Sequence, residues 1–209
     1  MGISFAAARA ALVDIGRRFD RRGWAPATSG NYSVRLDDGT VAVTMSGRHR
    51  GRLVEDDSLR VDMHGMSLDG KKPSAETALH LSLYRLFPDI GAVLHGHSSD
   101  AVGLSRAVAP AREWVFRGHE MLKALPGVTT HALNLRLPIV ENSQDMRVIE
   151  AEVLPALAEP DVVPAYLIRA HGLYAWGADL EEAERVFEAV EWLIGTERAE
   201  MDFRKGVSA

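Results

Sequence analysis

The sequence contains no cysteine among its 209 residues. This absence excludes disulfide bonds and every zinc site that is built on thiolates. Any transition metal would have to bind through nitrogen and oxygen ligands instead. The lack of cysteine is compatible with a reducing compartment, and we expect a cytoplasmic location.

Long apolar runs are also missing. No uninterrupted apolar segment approaches the roughly 18 residues that a membrane-spanning helix requires. The N-terminus lacks the apolar stretch of a secretion signal. We therefore expect an unprocessed, soluble protein that has no membrane partner.

Positive charge is not in excess, because the formal net charge is −5. This balance argues against nucleic acid as a partner. One basic cluster is formed by Arg48, His49, Arg50 and Arg52. The cluster fits a small anionic ligand, although the same residues are equally typical of a solvated loop.

The length and the hydrophobic content of 46% predict one domain over residues 1–209. Apolar residues at three- and four-residue spacing predict helices at both ends of the chain. Between them, residues 32–36 and 41–45 alternate around an Asp-Asp-Gly turn, which indicates a β-hairpin. This irregular mixture predicts an α/β fold in which helices flank a layered sheet, rather than a doubly wound parallel sheet.

Two histidines lie two residues apart at the end of an apolar run. Residues 92–94 predict a buried strand, so His95 and His97 would project from the same face of its C-terminal end. A catalytic zinc site needs three protein ligands and one open position. His171 follows a second apolar run and precedes a glycine in the same way, so it is the best third ligand. We expect the other histidines to lie at the surface or to form hydrogen bonds: His49, His64, His80, His119 and His131.

Two further features are candidates for anion and proton chemistry. Polar turns containing glycine bracket the hairpin at residues 27–31 and 46–48, where backbone N–H groups could face an anion. Ser74 is the predicted cap of a helix whose first turn carries Glu76. Glu120 is predicted to begin another helix, one turn before Lys123. Each carboxylate could serve only as a partner of the helix dipole.

These motifs together resemble the class II aldolase and epimerase family over nearly the whole chain. The shared motifs, in family order, are Thr-Ser-Gly-Asn at 28–31, Ser-Gly at 46–47, Pro-Ser-Ala-Glu at 73–76, His-Gly-His-Ser at 95–98 and His-Gly at 171–172. The segments at 118–125, 130–131, 138–139 and 142–145 resemble the branch that dehydrates methylthioribulose 1-phosphate. Family members often carry glycine where Ala170 stands.

The resemblance implies a central, mainly antiparallel sheet flanked by helices and one Zn²⁺ per subunit on His95, His97 and His171. It also implies a homotetramer whose sites lie near subunit contacts. Glu120 is the first choice for the acid/base residue, as in the dehydratases, and Glu76 is the second, as in the aldolases. The substrate phosphate would contact six residues: Gly30, Asn31, Ser46, Gly47, Ser74 and Lys123.

The implied substrate is a small phosphorylated ketose. The implied reaction is the zinc-dependent dehydration of 5-methylthioribulose 1-phosphate to 2,3-diketo-5-methylthiopentyl 1-phosphate in methionine salvage. Two alternatives use the same scaffold: a sugar-phosphate aldolase of the fuculose or rhamnulose 1-phosphate type, and a pentulose-phosphate 4-epimerase. A non-catalytic zinc module is a third alternative, but structural zinc is normally fully ligated.

Overall fold

The computed structural model describes residues 3–207, which form eight strands and five α-helices. The strands are β1 (Asn31–Arg35), β2 (Val41–Thr44), β3 (Ser58–Val61), β4 (Ala92–Gly96), β5 (Glu113–Arg117), β6 (Asn134–Val140), β7 (Ala165–Ile168) and β8 (Gly172–Gly177). The helices are α1 (Phe5–Arg21), α2 (Thr77–Leu86), α3 (Ser99–Ala107), α4 (Met146–Leu157) and α5 (Leu180–Val207). None of these helices is long and apolar enough to cross a membrane.

The strands form one sheet in the order β3-β2-β1-β4-β8-β7-β6-β5. Every neighbouring pair is antiparallel except β6 and β7, which run parallel. The prediction of a mainly antiparallel sheet with flanking helices is therefore confirmed. The hairpin prediction also agrees, since β1 pairs with β2.

The two faces of the sheet carry separate hydrophobic cores. One core contains Leu94 of β4 together with Leu12 of α1 and Phe187 of α5. The other contains Val93 of β4 together with Leu79 of α2. Because successive strand residues point to opposite faces, His95 shares the α2 face with Val93. The metal-ligand candidates therefore lie on the same side of the sheet as α2 and α4.

Two predicted helix starts differ from the structure. The helix after Ser74 begins at Thr77 with Glu76 as its N-cap, so Ser74 is not the cap. Ser74 instead accepts a hydrogen bond from the backbone N–H of Glu76 at 3.3 Å, which tightens the turn before the helix. Glu120 begins a 3₁₀ helix of five residues, Glu120–Ala124, rather than an α-helix. Pro126 and Gly127 follow shortly after it, and neither residue favours continuation of a helix.

The turn between β7 and β8 presents His171. Its residue Ala170 has a φ of 58°, a left-handed conformation that costs an alanine more than a glycine. Arg169 secures the turn by donating hydrogen bonds to the carboxylate of Glu141 and to the carbonyl oxygens of Ser105 and Ala111. The strained residue is thus held by contacts on its N-terminal side.

We predict that Ala170→Gly raises the free energy of unfolding by up to about 1 kcal/mol. The relief of left-handed strain, about 1–2 kcal/mol, exceeds the added backbone entropy of about 0.5–1 kcal/mol. Urea denaturation would measure the change. Ala158→Gly is the matched control, because Ala158 is also exposed but has an ordinary φ of −82°. Equal effects of the two substitutions would contradict the prediction.

Candidate metal centre and substrate cavity

The three predicted ligands lie together on the α2 side of the sheet. One nitrogen from each of His95, His97 and His171 lies within 4.8 Å of the other two. The Nε2 atoms of His95 and His97 are 2.9 Å apart. Two ligand nitrogens on a tetrahedral zinc would be separated by roughly 3.3 Å, given Zn–N bonds of about 2.0–2.1 Å. The geometry therefore fits a three-histidine metal site.

The environment of His95 prepares it as a ligand. Its Nδ1 lies 3.0 Å from the carbonyl oxygen of Leu173. A carbonyl oxygen can only accept a hydrogen bond, so Nδ1 carries the proton and donates. The Nε2 atom is then unprotonated and faces the other two imidazoles. Tyr174 stacks on the His95 ring at a centroid separation of 4.0 Å. The stacking fixes the orientation of the ring, and the hydrogen bond fixes the tautomer that can bind a metal through Nε2.

Burial favours the neutral, metal-binding form of these imidazoles. His95 is fully buried, and the loss of hydration lowers its pKa well below the usual range. Burial also lowers the pKa of His97 to about 4, and the neighbouring His171 acts in the same direction. A metal would compete with few protons at these two nitrogens near neutral pH.

Two glycines allow the backbone segments around the ligands to approach closely. A Cβ atom on Gly172 would lie 2.3 Å from the carbonyl oxygen of Gly96, between the two strand ligands. A Cβ atom on Gly30 would lie 2.6 Å from the carbonyl oxygen of His95, and Gly30 has a φ of 78°. Any side chain at either position would displace the backbone that carries His95 and His97.

Glu76 is the carboxylate nearest to the histidines. Its Oε1 atom lies 3.1 Å from Nε2 of His171, and its Oε2 atom lies 4.0 Å from Nε2 of His95. Burial by itself would raise the pKa of Glu76, but the hydrogen bond with His171 and electrostatic interactions with the neighbouring imidazoles outweigh it and lower the pKa to about 2. Glu76 is therefore ionised.

A polar cavity of about 340 Å³ opens in front of the histidines. Seven of the predicted site residues line it, and these are Gly30, Asn31, Ser46, Ser74, Glu76, His97 and His171. The guanidinium group of Arg50, from the predicted basic cluster, reaches the same wall and donates hydrogen bonds to the carbonyl oxygens of Gly30 and Met45. The cavity thus brings together candidate metal ligands, a carboxylate and polar groups.

Four predicted site residues do not line this cavity: His95, which is fully buried behind it, and Gly47, Glu120 and Lys123. Glu120 lies at the surface with 70% of its side chain exposed, and it forms ion pairs with Lys123 and His131. Gly47 directly follows Ser46, which does line the cavity. The roles of Gly47, Glu120 and Lys123 at the site remain predictions.

The structure adds cavity residues outside the predicted site, and three of them are Ser143, Gln144 and Met146. All three lie at the start of α4 or just before it. The segment 142–145 was one of the family-like motifs, so the sequence signal existed without a function attached to it. Among the described residues, the candidate metal group contains no histidine besides His95, His97 and His171.

Comparison with known proteins identifies the family. Residues 10–197 match the family model described as Class II Aldolase and Adducin N-terminal domain. The chain belongs to this family. The class II aldolase-type resemblance predicted from the sequence motifs is therefore confirmed.

Relatives within this family match most of the length of the chain. A methylthioribulose-1-phosphate dehydratase from Pseudomonas paraeruginosa is 52% identical, with 89% of this chain and 91% of the relative covered. A protein of the same name from Methylococcus capsulatus is 47% identical, with coverage of 90% and 91%. Among solved structures, the l-fuculose-1-phosphate aldolase from Thermus thermophilus superimposes with a TM-score of 0.77 at 25% identity, with coverage of 96% and 97%.

We predict that His97→Ala loses most of its bound metal while remaining folded. Removal of one of three ligands should weaken metal binding by much more than the 10- to 100-fold that is typical of lost outer contacts. Metal analysis after dialysis against a weak chelator would measure occupancy. His64→Ala is the control, because His64 is an exposed histidine outside the cluster. Full occupancy in His97→Ala would remove His97 from the ligand set.

Proposed function

We propose that this chain dehydrates 5-methylthioribulose 1-phosphate to 2,3-diketo-5-methylthiopentyl 1-phosphate, a step of methionine salvage. The observation that carries the proposal is the identity of 47–52% to proteins named methylthioribulose-1-phosphate dehydratase over about nine tenths of both chains. The cavity supports it, because dehydration of a phosphorylated ketose needs a site for an anion, a carboxylate and a Lewis acid.

The proposed metal is Zn²⁺, one per subunit, on His95, His97 and His171. These three imidazoles would hold a Lewis acid, whose chemistry when bound is to make a proton beside the substrate carbonyl group more acidic. The three imidazoles leave an open position, which a catalytic site requires and a structural zinc site does not. The hydrogen bond from His95 to Leu173 supports this role, since it fixes which nitrogen faces the metal.

The two carboxylates have different proposed roles. Glu76 lines the cavity of its own chain, and its proposed place is beside the substrate carbon that loses its proton. Glu120 is proposed as the acid/base residue, which takes up the C3 proton and delivers it to the departing C4 hydroxyl group, so that water leaves. Because Glu120 is exposed and absent from the cavity of its own chain, we propose that it acts in the cavity of a neighbouring subunit. Lys123 would accompany it as a positive charge for the phosphate.

The proposed phosphate site consists of the backbone and side-chain donors of Gly30, Asn31, Ser46, Gly47 and Ser74. Arg50 supports this position, because its buried guanidinium lines the same wall and contributes positive charge. Binding of the phosphate would position the rest of the substrate at the metal, and the phosphate need not take part in the chemistry.

We also propose a homotetramer in the cytoplasm that acts on a small phosphorylated ketose and has no nucleic-acid or membrane partner. Each subunit would be one domain over residues 1–209. The single sheet of eight strands supports that organisation. The exposed position of Glu120 supports an assembly in which one subunit completes the site of another.

The second candidate function is that of a sugar-phosphate aldolase. The likeness to l-fuculose-1-phosphate aldolase favours it, and Glu76 would then be the essential carboxylate. A metal-dependent epimerase would use the same cavity. The lower identity of 25% makes the aldolase the weaker candidate.

We predict that the zinc-loaded protein converts methylthioribulose 1-phosphate into a diketone with loss of one water molecule. NMR and mass spectrometry of the products would distinguish the candidates. An aldolase would release two carbonyl fragments, and an epimerase would yield an isomer of unchanged mass. Either of those products, without the diketone, would overturn the proposed reaction.

We predict that Glu120→Gln lowers kcat by at least about 100-fold and that mixing it with His97→Ala restores activity. Each variant supplies the group that the other lacks if Glu120 acts across a subunit contact. Random assembly at equal ratio would restore roughly a quarter of the sites in a cyclic tetramer. The steady-state rate after mixing and reassembly measures this fraction.

The control for this experiment mixes His97→Ala with the double variant that carries both substitutions. Every chain in this mixture lacks His97, so no subunit has all three metal ligands and the mixture should stay inactive. A lack of complementation in the first mixture, with hybrid tetramers confirmed by native mass spectrometry, would return Glu120 to its own subunit or remove it from the site.

A further inference from the structure

Five side chains form a continuous hydrogen-bonded line behind the cavity: Glu76, Asn31, His80, Ser33 and Tyr84. The Nδ2 group of Asn31 donates to Oε2 of Glu76, and Oδ1 of Asn31 contacts Nε2 of His80. On the far side, Nδ1 of His80 lies 2.7 Å from Oγ of Ser33, and that oxygen lies 3.0 Å from the hydroxyl of Tyr84. His80 and Ser33 are completely buried.

The orientation of the Asn31 amide decides the direction of the other hydrogen bonds in the line. Asn31 turns its NH₂ group toward Glu76, whose Oε2 accepts from Nδ2. The carbonyl of Asn31 then faces His80 and can only accept, which places a proton on Nε2 of His80. Burial lowers the pKa of His80 to about 4, so the ring is neutral and has no second proton.

The directions of the remaining two hydrogen bonds follow from the protonation of His80. Because Nδ1 of His80 has no proton, it must accept a hydrogen bond from the hydroxyl group of Ser33. The Ser33 oxygen therefore accepts from Tyr84, whose phenol has its pKa raised by burial and stays protonated. With the amide in this orientation, all donations run in one direction, from Tyr84 to Glu76.

The orientation of Asn31 matters for both parts of the cavity. With its carbonyl held by His80, the amide presents both of its N–H donors to the cavity side. One donor holds Oε2 of Glu76, while Oε1 is held by His171. The second donor is available to an anion. If the amide rotated by 180°, its carbonyl oxygen would face the carboxylate and any phosphate, and both contacts would be repulsive.

We propose that His80 is a positioning residue that fixes the amide orientation of Asn31, and through it the Glu76 carboxylate and the donor for the substrate phosphate. His80 touches neither the cavity nor the metal group in the described residues. The kinetic part of this role rests on the proposed function, whereas the proton arrangement does not depend on it.

The first test is the tautomer of His80 in the metal-free wild-type protein. Two-dimensional ¹H–¹⁵N NMR of the imidazole nitrogens should show a protonated Nε2 and an unprotonated Nδ1 at neutral pH. Ser33→Ala removes only the donor to Nδ1, so this variant should keep the proton on Nε2 while the Nδ1 resonance shifts to that of a nitrogen without a hydrogen bond. A wild-type ring protonated at Nδ1 would overturn the proposal without reference to any substrate.

The second test compares kinetics in His80→Phe and His80→Gln. Phenylalanine keeps the ring volume but no donor, so kcat/KM should fall about 10- to 100-fold, the range for losing a hydrogen bond to a charged network. Glutamine can extend an N–H toward Asn31 and should recover activity to within about threefold of the wild type. The loss should appear in both kcat and KM, because Asn31 serves Glu76 and the phosphate donor together.

The matched control is Ser82→Ala. Ser82 is buried on the same helix, but its hydroxyl donates only to the carbonyl oxygen of Leu79. It should retain a single His80 tautomer and kcat/KM within about twofold of the wild type. If His80→Phe is folded and metal-loaded and keeps full kcat/KM, the positioning role is wrong.

Failure of the proposed function would be recognised separately. If methylthioribulose 1-phosphate gives no product with the wild-type protein, affinity for inorganic phosphate by calorimetry replaces the kinetic measurement. His80→Phe should then weaken phosphate binding at least about threefold relative to Ser82→Ala. Equal phosphate affinity in the two variants would overturn the positioning role.

Discussion

The register between β1, β4 and β8 is the constraint on which the site depends. This register places Asn31 opposite His95 and His95 opposite Tyr174, so the three side chains form a row across the sheet. Side chains directly opposite each other in antiparallel strands lie about 4.5–5.5 Å apart at Cβ. A slip of one residue would turn His95 into the other core and separate it from both neighbours.

The sheet separates stability from chemistry by face. The long α5 helix and α1 cover one face with an apolar core, and none of the predicted ligands lies there. On the other face, α2 places Glu76 and His80 next to the ends of the strands. One helix therefore supplies both the cavity carboxylate and the histidine that contacts it through Asn31. The apolar residues between them, such as Leu79, point into the second core and anchor the helix.

Much of the fold and the metal centre could be predicted from local sequence patterns. The spacing of His95 and His97 is set by the period of a strand, and His171 repeats the same apolar run followed by His-Gly. The contribution of His80 could not be predicted in this way. Its partners Asn31 and Ser33 lie about 50 residues earlier, and only the packing of α2 against β1 brings them together. The spacing of Glu76, His80 and Tyr84 at four residues was the available signal.

Other differences have local causes. Glu120 starts a short 3₁₀ helix because Pro126 and Gly127 leave no room for longer helical continuation, and its surface position depends on tertiary packing that no local pattern describes. Ser143, Gln144 and Met146 reach the cavity because α4 packs beside α2, a contact between segments about 70 residues apart.

The exposed position of Glu120 has a consequence for the concentration dependence of the protein. The three histidines and Glu76 belong to one chain, so a single subunit would contain the whole proposed metal site. If the acid/base group comes from a neighbouring subunit, the isolated subunit would contain metal but be catalytically inactive. Specific activity would then fall on dilution while the metal content per chain stayed constant.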